Sequence, residues 1–234
     1  MNLSRREMLV AGLGLLVASC SETTTSLITR PGTPWPTNTS RPVPRNTRQV
    51  AVPTPTPTPR YSPSGLPGLL PRSWWTKYGP NRSNINPMAG VNRITVHHEG
   101  YTPVWFTDVA STRARMEQIR RVHTRDRRWA DIGYHFVIDR AGRVIEGRSV
   151  AYQGAHVSHQ NEHNIGVMLL GNFEQQSPTP QQLASLQTTL RYLMARYKVP
   201  VSRVYTHREL GKTACPGRHL QPRVARLRDS GALA

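Results

Sequence analysis

Prolines limit where a folded domain can form in this chain, because 12 of the 20 lie between residues 21 and 71. They include an alternating Pro-Thr run from Pro53 to Pro59. A segment with so many prolines and few apolar side chains favours extended polyproline II over a packed core. We therefore expect residues 21–71 to be a disordered Pro/Thr-rich tether, at most roughly 150 Å long at about 3.1 Å per residue. Residues 72–234 then form the folded domain.

The first 20 residues are typical of an export signal. A short basic start precedes an apolar run over residues 8–18, which is too short for a bilayer span of about 20 residues. The Ser-Arg-Arg sequence at residues 4–6 resembles a twin-arginine signal, and Val-Ala-Ser-Cys at residues 17–20 resembles a bacterial lipobox. We expect an exported lipoprotein, anchored to the membrane through a lipid on Cys20. An uncleaved amphipathic start and a plain signal peptide are the alternatives.

The charge of the chain indicates an anionic partner. Seven basic and two acidic residues lie before position 72, so residues 72–234 carry 24 Lys and Arg against 11 Asp and Glu, a net charge of +13. Cell-wall polymers, membrane surfaces and nucleic acids would all be attracted. An exported chain seldom meets nucleic acid, and no nucleic-acid-reading motif is present, so we do not expect nucleic acid as the partner.

Apolar patterning alternates between short strands and helices. It predicts strands over residues 93–96, 134–138, 143–145, 165–170 and 204–205, and helices over residues 112–124, 180–197 and 218–228. Thr179, Pro180 and Gln182 form an N-cap, a first-turn proline and a capping-box partner for the second helix. Interleaved elements of this kind predict one α/β domain with a central mixed β-sheet covered by helices.

Two histidines and a cysteine have positions that suit a metal site. His97 ends a predicted strand, whereas His207 and Cys215 flank a loop that follows another strand. A zinc hydrolase takes three protein ligands, and folding would bring these three together. If Cys20 carries a lipid, Cys215 has no partner for an intramolecular disulfide. Spacing alone does not decide whether Cys215 is a buried apolar residue, a nucleophile or a metal ligand.

A second zinc motif, His-x-x-Glu-His, occupies residues 159–163. The inverted zinc-protease signature needs both histidines one turn apart on a helix. This segment is almost wholly polar and has no face to bury, so a helix is disfavoured. We predict a loop and no protease site.

Six short motifs together resemble the zinc-dependent N-acetylmuramoyl-L-alanine amidases of the peptidoglycan recognition protein family, which includes phage lysozymes with amidase activity. The resemblance runs from about Arg93 to Gly217. The motifs are Ile94-Thr95-Val96-His97-His98, Asp131-Ile132-Gly133-Tyr134-His135-Phe136, Glu146-Gly147-Arg148, Gly154-Ala155-His156, Asn164-Ile165-Gly166-Val167 with Gly171-Asn172-Phe173, and His207-Arg208-Glu209 through Cys215-Pro216-Gly217.

The resemblance implies an activity and a site. It implies that His97, His207 and Cys215 bind Zn²⁺, that Tyr134 is an active-site residue, and that Thr213 occupies a second catalytic position. The implied reaction is zinc-dependent hydrolysis of the amide between N-acetylmuramic acid and L-alanine of the peptidoglycan stem peptide. Peptidoglycan or its fragments would be the partner, and we expect a monomer.

Other polar residues near these motifs are candidates for substrate contact, namely His98, His156 and Lys212. For His98 a buried position behind the site is the favoured alternative, and Lys212 is one candidate proton donor to the leaving amine. Glu99, where the family often has threonine, is interpreted as a solvated loop acid in preference to an extra acid or base.

A non-catalytic peptidoglycan-binding module is the alternative function. Relatives that lose the cysteine keep the fold and only bind. The presence of Cys215, both histidines and Tyr134 favours the enzyme.

Overall fold

The computed structural model describes residues 65–233, and at their centre is a five-stranded sheet. The expected signal peptide, the lipidated Cys20 and most of the tether lie outside the described residues. The strands are β1 (Arg93–His98), β2 (Phe136–Ile138), β3 (Val144–Glu146), β4 (Asn164–Leu169) and β5 (Val204–Thr206). They lie in the order β3-β2-β4-β1-β5.

The sheet is mixed, as the sequence predicted. β3 pairs antiparallel with β2, while β2–β4, β4–β1 and β1–β5 are parallel pairs. The central strands β1 and β4 are buried along nearly their whole length. Burial on both faces explains the apolar run of β4 after Asn164, whereas β1 places the buried polar residues Thr95 and His97 between its apolar ones.

Helices cover both faces of the sheet. They are α1 (Val109–Arg121), α2 (Pro180–Tyr197), α3 (His207–Leu210) and α4 (Gln221–Asp229), and a π-helical turn (Val122–Asp126) follows α1. Apolar side chains of α2 and α4 pack on one face of the sheet, and those of α1 pack on the other. Within the described residues, no helix has the length and apolar character that crossing a membrane requires.

The folded part begins before residue 72, where we expected the boundary. Leu66 is buried in the main core. Leu70 donates its N–H to the Val144 carbonyl at 2.8 Å and accepts from the Glu146 N–H at 2.9 Å, which extends the sheet beyond β3. The sequence did not predict that these leucines belong to the fold, because any stretch of sequence that includes them is rich in proline.

The topology brings the ends of two parallel strands to one edge of the sheet. His97 and His98 close β1, and His207 begins α3 directly after β5. Carboxyl ends of parallel strands form the usual crevice for ligands in such sheets. The strand order therefore places the candidate ligands together.

The capping box of α2 gives a test of how this helix is held. The Thr179 hydroxyl accepts from the Gln182 N–H and donates to the Arg140 carbonyl, both at 3.0 Å. We expect Thr179→Ala to lower the free energy of unfolding by about 1–2 kcal/mol, since both contacts are lost. Thr188→Ala, at an exposed position of the same helix, is the control and should change it little. Urea unfolding measures both, and equal effects would contradict this account of the cap.

Candidate metal centre

Three side chains that are far apart in the sequence meet at the end of the sheet. One ligand atom from each of His97, His207 and Cys215 lies within 4.8 Å of the others. All three residues are largely buried, and Cys215 forms no disulfide within the described residues. The Nδ1 atom of His97 lies 3.6 Å from the Cys215 sulfur.

This donor set fits zinc. Tetrahedral coordination with a Zn–S distance of about 2.3 Å and a Zn–N distance of about 2.0–2.1 Å places a nitrogen and a sulfur ligand about 3.6 Å apart. The separation between His97 Nδ1 and Cys215 Sγ has this value. Two imidazoles and one thiolate also leave a fourth position for water or substrate, as in catalytic zinc sites.

A chain of hydrogen bonds sets which nitrogen of His97 faces the centre. His97 Nε2 lies 3.0 Å from His156 Nδ1, and His156 Nε2 lies 3.1 Å from the Asn164 carbonyl oxygen. A carbonyl only accepts, so His156 carries its proton on Nε2 and accepts at Nδ1. His97 then donates from Nε2, which leaves the lone pair of its Nδ1 directed toward Cys215. Partners of this kind orient metal-binding histidines in other sites.

His156 therefore has a different position from the one that substrate contact requires. Its side chain has no exposed surface and lies behind His97. We reassign it as a positioning residue. The motif Gly154-Ala155-His156 drew attention to this histidine in the sequence. Its partner could not be found in the same way, because the Asn164 carbonyl is a backbone group that every residue type has.

Burial keeps the imidazoles neutral. It lowers the pKa of His97 well below the usual 6.5, with further lowering by His207 and His156, and it lowers the pKa of His207 to about 4. Burial also raises the pKa of the Cys215 thiol to about 12. Metal binding requires neutral imidazoles and a thiolate. The histidines are thus already in the binding form, whereas Cys215 must lose a proton when a metal binds.

Backbone and side-chain contacts hold the cysteine loop in place. The Thr213 hydroxyl accepts from the Cys215 N–H at 3.1 Å, and the Cys215 carbonyl accepts from the Arg208 N–H at 2.9 Å. The N–H of His98 lies 3.4 Å from the Cys215 sulfur, where it can donate to a thiolate. The loop is therefore tied to both α3 and β1.

Tyr134 lies beside His97, with ring centroids 5.2 Å apart. It is almost fully buried. Desolvation, followed by the negative charges of Cys215 and Glu99, raises its pKa well above 10. The phenol thus keeps its proton and can act only as a neutral hydrogen-bonding group.

The remaining candidate residues divide between the interior and the surface. His98 is buried, and its Nδ1 accepts from the Phe173 N–H at 3.1 Å, which fits the alternative of a buried position behind the site. Lys212 is exposed on the loop between α3 and Cys215.

The prediction of a loop at residues 159–163 is confirmed, because the segment forms turns in which His159 and His163 have positive φ angles of 59° and 57°.

The interpretation of Glu99 as a solvated acid is wrong. Only 6% of the residue is exposed, and its carboxylate forms an ion pair with Arg115 at 2.6 Å. Burial raises the pKa of this carboxyl to about 7, although Arg115 partly opposes the shift. Arg115 lies on α1, so only the packing of that helix against the sheet brings the two charges together.

Comparison with known proteins places the chain in a family. The model of the N-acetylmuramoyl-L-alanine amidase family, Amidase_2, matches residues 87–218. More than half of the chain is covered, and the chain belongs to this family. The six motifs that suggested it all lie within the matched residues.

Individual relatives include recognition proteins and amidases. The chain is 33% identical over 153 residues to a peptidoglycan-recognition protein of Drosophila simulans, and the match covers 65% of this chain and 82% of that protein. It is 33% identical over 157 residues to the N-acetylmuramoyl-L-alanine amidase of Sus scrofa, and this match again covers 65% of this chain but 26% of the pig protein. The similarity thus spans about a quarter of that longer amidase.

Solved structures share the fold. The bumblebee recognition protein PGRP-SA superposes with a TM-score of 0.61 at 25% identity, covering 67% of this chain and 93% of that one. The amidase LysC from Clostridium intestinale superposes with a TM-score of 0.56 at 28% identity, covering 69% and 97%. The chain therefore shares its fold with a recognition protein and with an amidase.

The contact between His97 and His156 can be tested by metal affinity. We expect His156→Leu to weaken zinc binding by about 10- to 100-fold, since the partner that orients His97 is lost. His156→Asn offers an acceptor oxygen near the position of Nδ1 and should recover part of the affinity. Competition with a chromophoric chelator measures both values. Wild-type affinity in the leucine variant would contradict the positioning role.

Proposed function

We propose that this chain hydrolyses the amide between N-acetylmuramic acid and L-alanine of the peptidoglycan stem peptide, with Zn²⁺ held by His97, His207 and Cys215. The observation that carries the proposal is the convergence of these three ligands beside Tyr134. A module that only binds would not need a complete donor set next to a protonated tyrosine. Zinc, when bound, lowers the pKa of a coordinated water toward about 7 and polarises the carbonyl of the amide.

Tyr134 supplies a hydrogen bond to the reacting carbonyl in this proposal. Negative charge develops on the carbonyl oxygen as the amide is attacked, and a donor that is already in position stabilises it. Because the raised pKa keeps the phenol protonated, Tyr134 can donate at neutral pH. Its buried ring is fixed against His97, so little reorganisation is needed.

Thr213 and Lys212 act at the cysteine loop. The Thr213 hydroxyl accepts a hydrogen bond from the Cys215 N–H and so helps to direct the sulfur. Thr213, the second catalytic position that the resemblance implies, is therefore a positioning residue in this proposal. In this proposal Lys212, exposed on the same loop, contacts the substrate, and the candidates to protonate the leaving amine are Lys212, Tyr134 and a water. His98 and His156 support the centre from behind.

The remaining parts of the proposal rest on the sequence. The net charge of +13 over residues 72–234 suits an anionic cell wall, with peptidoglycan or its fragments as the partner. The first 20 residues suit export and a lipid on Cys20, and residues 21–64 suit a tether. We propose a membrane-anchored lipoprotein that acts as a monomer on the wall.

Digestion of purified peptidoglycan by the full chain tests the activity. We expect mass spectrometry to detect free stem peptides that begin with alanine, lost on chelation and restored by zinc. The same digest with glycan and peptide ends labelled separately would show which bond is cut. Binding without cleavage at stoichiometric zinc would contradict the proposal and favour the non-catalytic binding module.

Two variants separate metal binding from catalysis. We expect Cys215→Ala to lose zinc, because one of three protein ligands is removed. Tyr134→Phe should keep zinc but lower kcat by about 10²- to 10³-fold, as the loss of one oxyanion donor does elsewhere. Metal analysis and turnover of a muramoyl peptide measure the two effects. A normal zinc content in Cys215→Ala would show that the ligand assignment is wrong.

A further inference from the structure

Two large aromatic side chains stand exposed in the segment that follows β1, the strand that ends in His97 and His98. Trp105 is 72% exposed and Tyr101 is 51% exposed. Both lie in the segment that joins β1 to α1, which leaves the sheet directly after His97 and His98. Two exposed aromatic rings in one short segment mark a candidate binding surface, whereas a single exposed ring would need no explanation.

The segment that carries these rings is held rigidly. The Gln176 side chain accepts from the Val104 N–H at 2.7 Å and donates to the Val104 carbonyl at 2.9 Å. The Asn172 side chain donates to the Tyr101 carbonyl at 3.0 Å. Gln176 and Val104 are both buried. The backbone at both aromatic positions is therefore fixed by contacts with the loop that follows β4.

Each ring is also supported on one face by an arginine. Arg115 Cζ lies 5.7 Å from the Tyr101 ring centroid, and Arg140 Cζ lies 5.8 Å from that of Trp105. The buried Glu99 holds Arg115 through their ion pair. Each aromatic side chain therefore has an arginine over its ring and more than half of its surface exposed to solvent.

Arg140 is anchored in a comparable way. It donates to the Ser177 carbonyl at 2.9 Å and to the Gln182 side-chain oxygen at 3.1 Å. Since both arginines are fixed before any ligand arrives, the rings they support lose little conformational freedom on binding. Surfaces that are preorganised in this way bind with a smaller entropic cost.

Open aromatic faces of this kind suit sugar rings. A pyranose presents a face of C–H groups that packs on an aromatic ring, while its hydroxyls stay at the edge, and tyrosine and tryptophan combine an apolar face with a polar group. The Thr102 hydroxyl and the guanidinium of Arg115 lie next to Tyr101. They are suitable partners for the hydroxyl and amide groups of an amino sugar.

The distance from the metal centre also fits a glycan. Tyr101 is four residues beyond His97, so their Cα atoms are at most about 14 Å apart. A glycan whose muramic acid lies at the centre would extend over such a distance along the surface. A second protein would instead require a larger, continuous apolar patch, whereas Thr102, Pro103 and the buried Val104 separate these two rings.

We propose that Tyr101 and Trp105 form a glycan platform, which binds the β-1,4-linked amino-sugar chain next to the muramic acid whose amide is cleaved. The platform rests on the proposed function, because it identifies the extended glycan as part of the substrate. It also gives Glu99 a role, as the residue that fixes Arg115 beneath Tyr101.

Binding of a peptide-free glycan tests the platform directly. Calorimetric titration of the full chain with the β-1,4-linked tetramer of N-acetylglucosamine is compared with that of the double variant Tyr101→Ala/Trp105→Ala. We expect the double variant to bind at least about tenfold more weakly, as truncation of aromatic anchors does in other interfaces. The double variant Tyr101→Phe/Trp105→Tyr keeps both rings and should stay within about threefold of the wild type.

Tyr78→Ala is the matched control. Tyr78 is also 51% exposed and has Arg120 over its ring at 4.5 Å, but it lies in the segment before β1. We expect unchanged glycan affinity in this variant. Equal affinity in the double alanine variant and the wild type, or no measurable binding by the wild type, would overturn the platform.

A second measurement separates the platform from the proposed activity. The ratio of kcat/KM for polymeric peptidoglycan to kcat/KM for a muramoyl peptide with a single sugar should fall about tenfold in the double alanine variant. If the wild type cleaves both substrates and this ratio is unchanged, the platform fails while the activity stands. If it cleaves neither but the tetramer still binds through the rings, the activity fails and the platform stands.

Discussion

The parallel pairing of β1 with β5 is the constraint on which the candidate centre depends. Val96 pairs with Thr206, and the residue that follows each of them in the chain is a histidine, His97 at the end of β1 and His207 directly after β5. A shift of one residue in either strand would turn one of these side chains to the opposite face. The core that covers both faces of the sheet fixes this register, and so stabilises the geometry of the site.

The centre extends behind its ligands into a buried polar network. His156 joins His97 to the backbone of β4, and His98 joins the end of β1 to the loop after β4. Buried polar groups of this kind are costly unless their hydrogen bonds are satisfied. Here the partners include backbone groups of β4 and of the loop that follows it. The fold and the ligand geometry are therefore maintained by the same contacts.

The loop after β4 connects the metal centre to the proposed glycan platform. Phe173 contacts His98, whereas Asn172 and Gln176 hold the segment that carries Tyr101 and Trp105. Glu99 and Arg115 provide a second connection, between the end of β1 and α1. The candidate metal centre and the proposed glycan platform are thus both linked to the loop after β4.

The sequence by itself determined the fold class, the family and the three candidate ligands, because short motifs and apolar periodicity are local properties of the chain. It also located the N-cap of α2 and the loop at residues 159–163. Only the tertiary structure decided the burial and the contacts of Glu99 and His156. Their partners, Arg115 and the Asn164 carbonyl, come from other elements, and burial depends on packing that no local pattern contains. For the same reason Leu66 was assigned to the tether, although it belongs to the core.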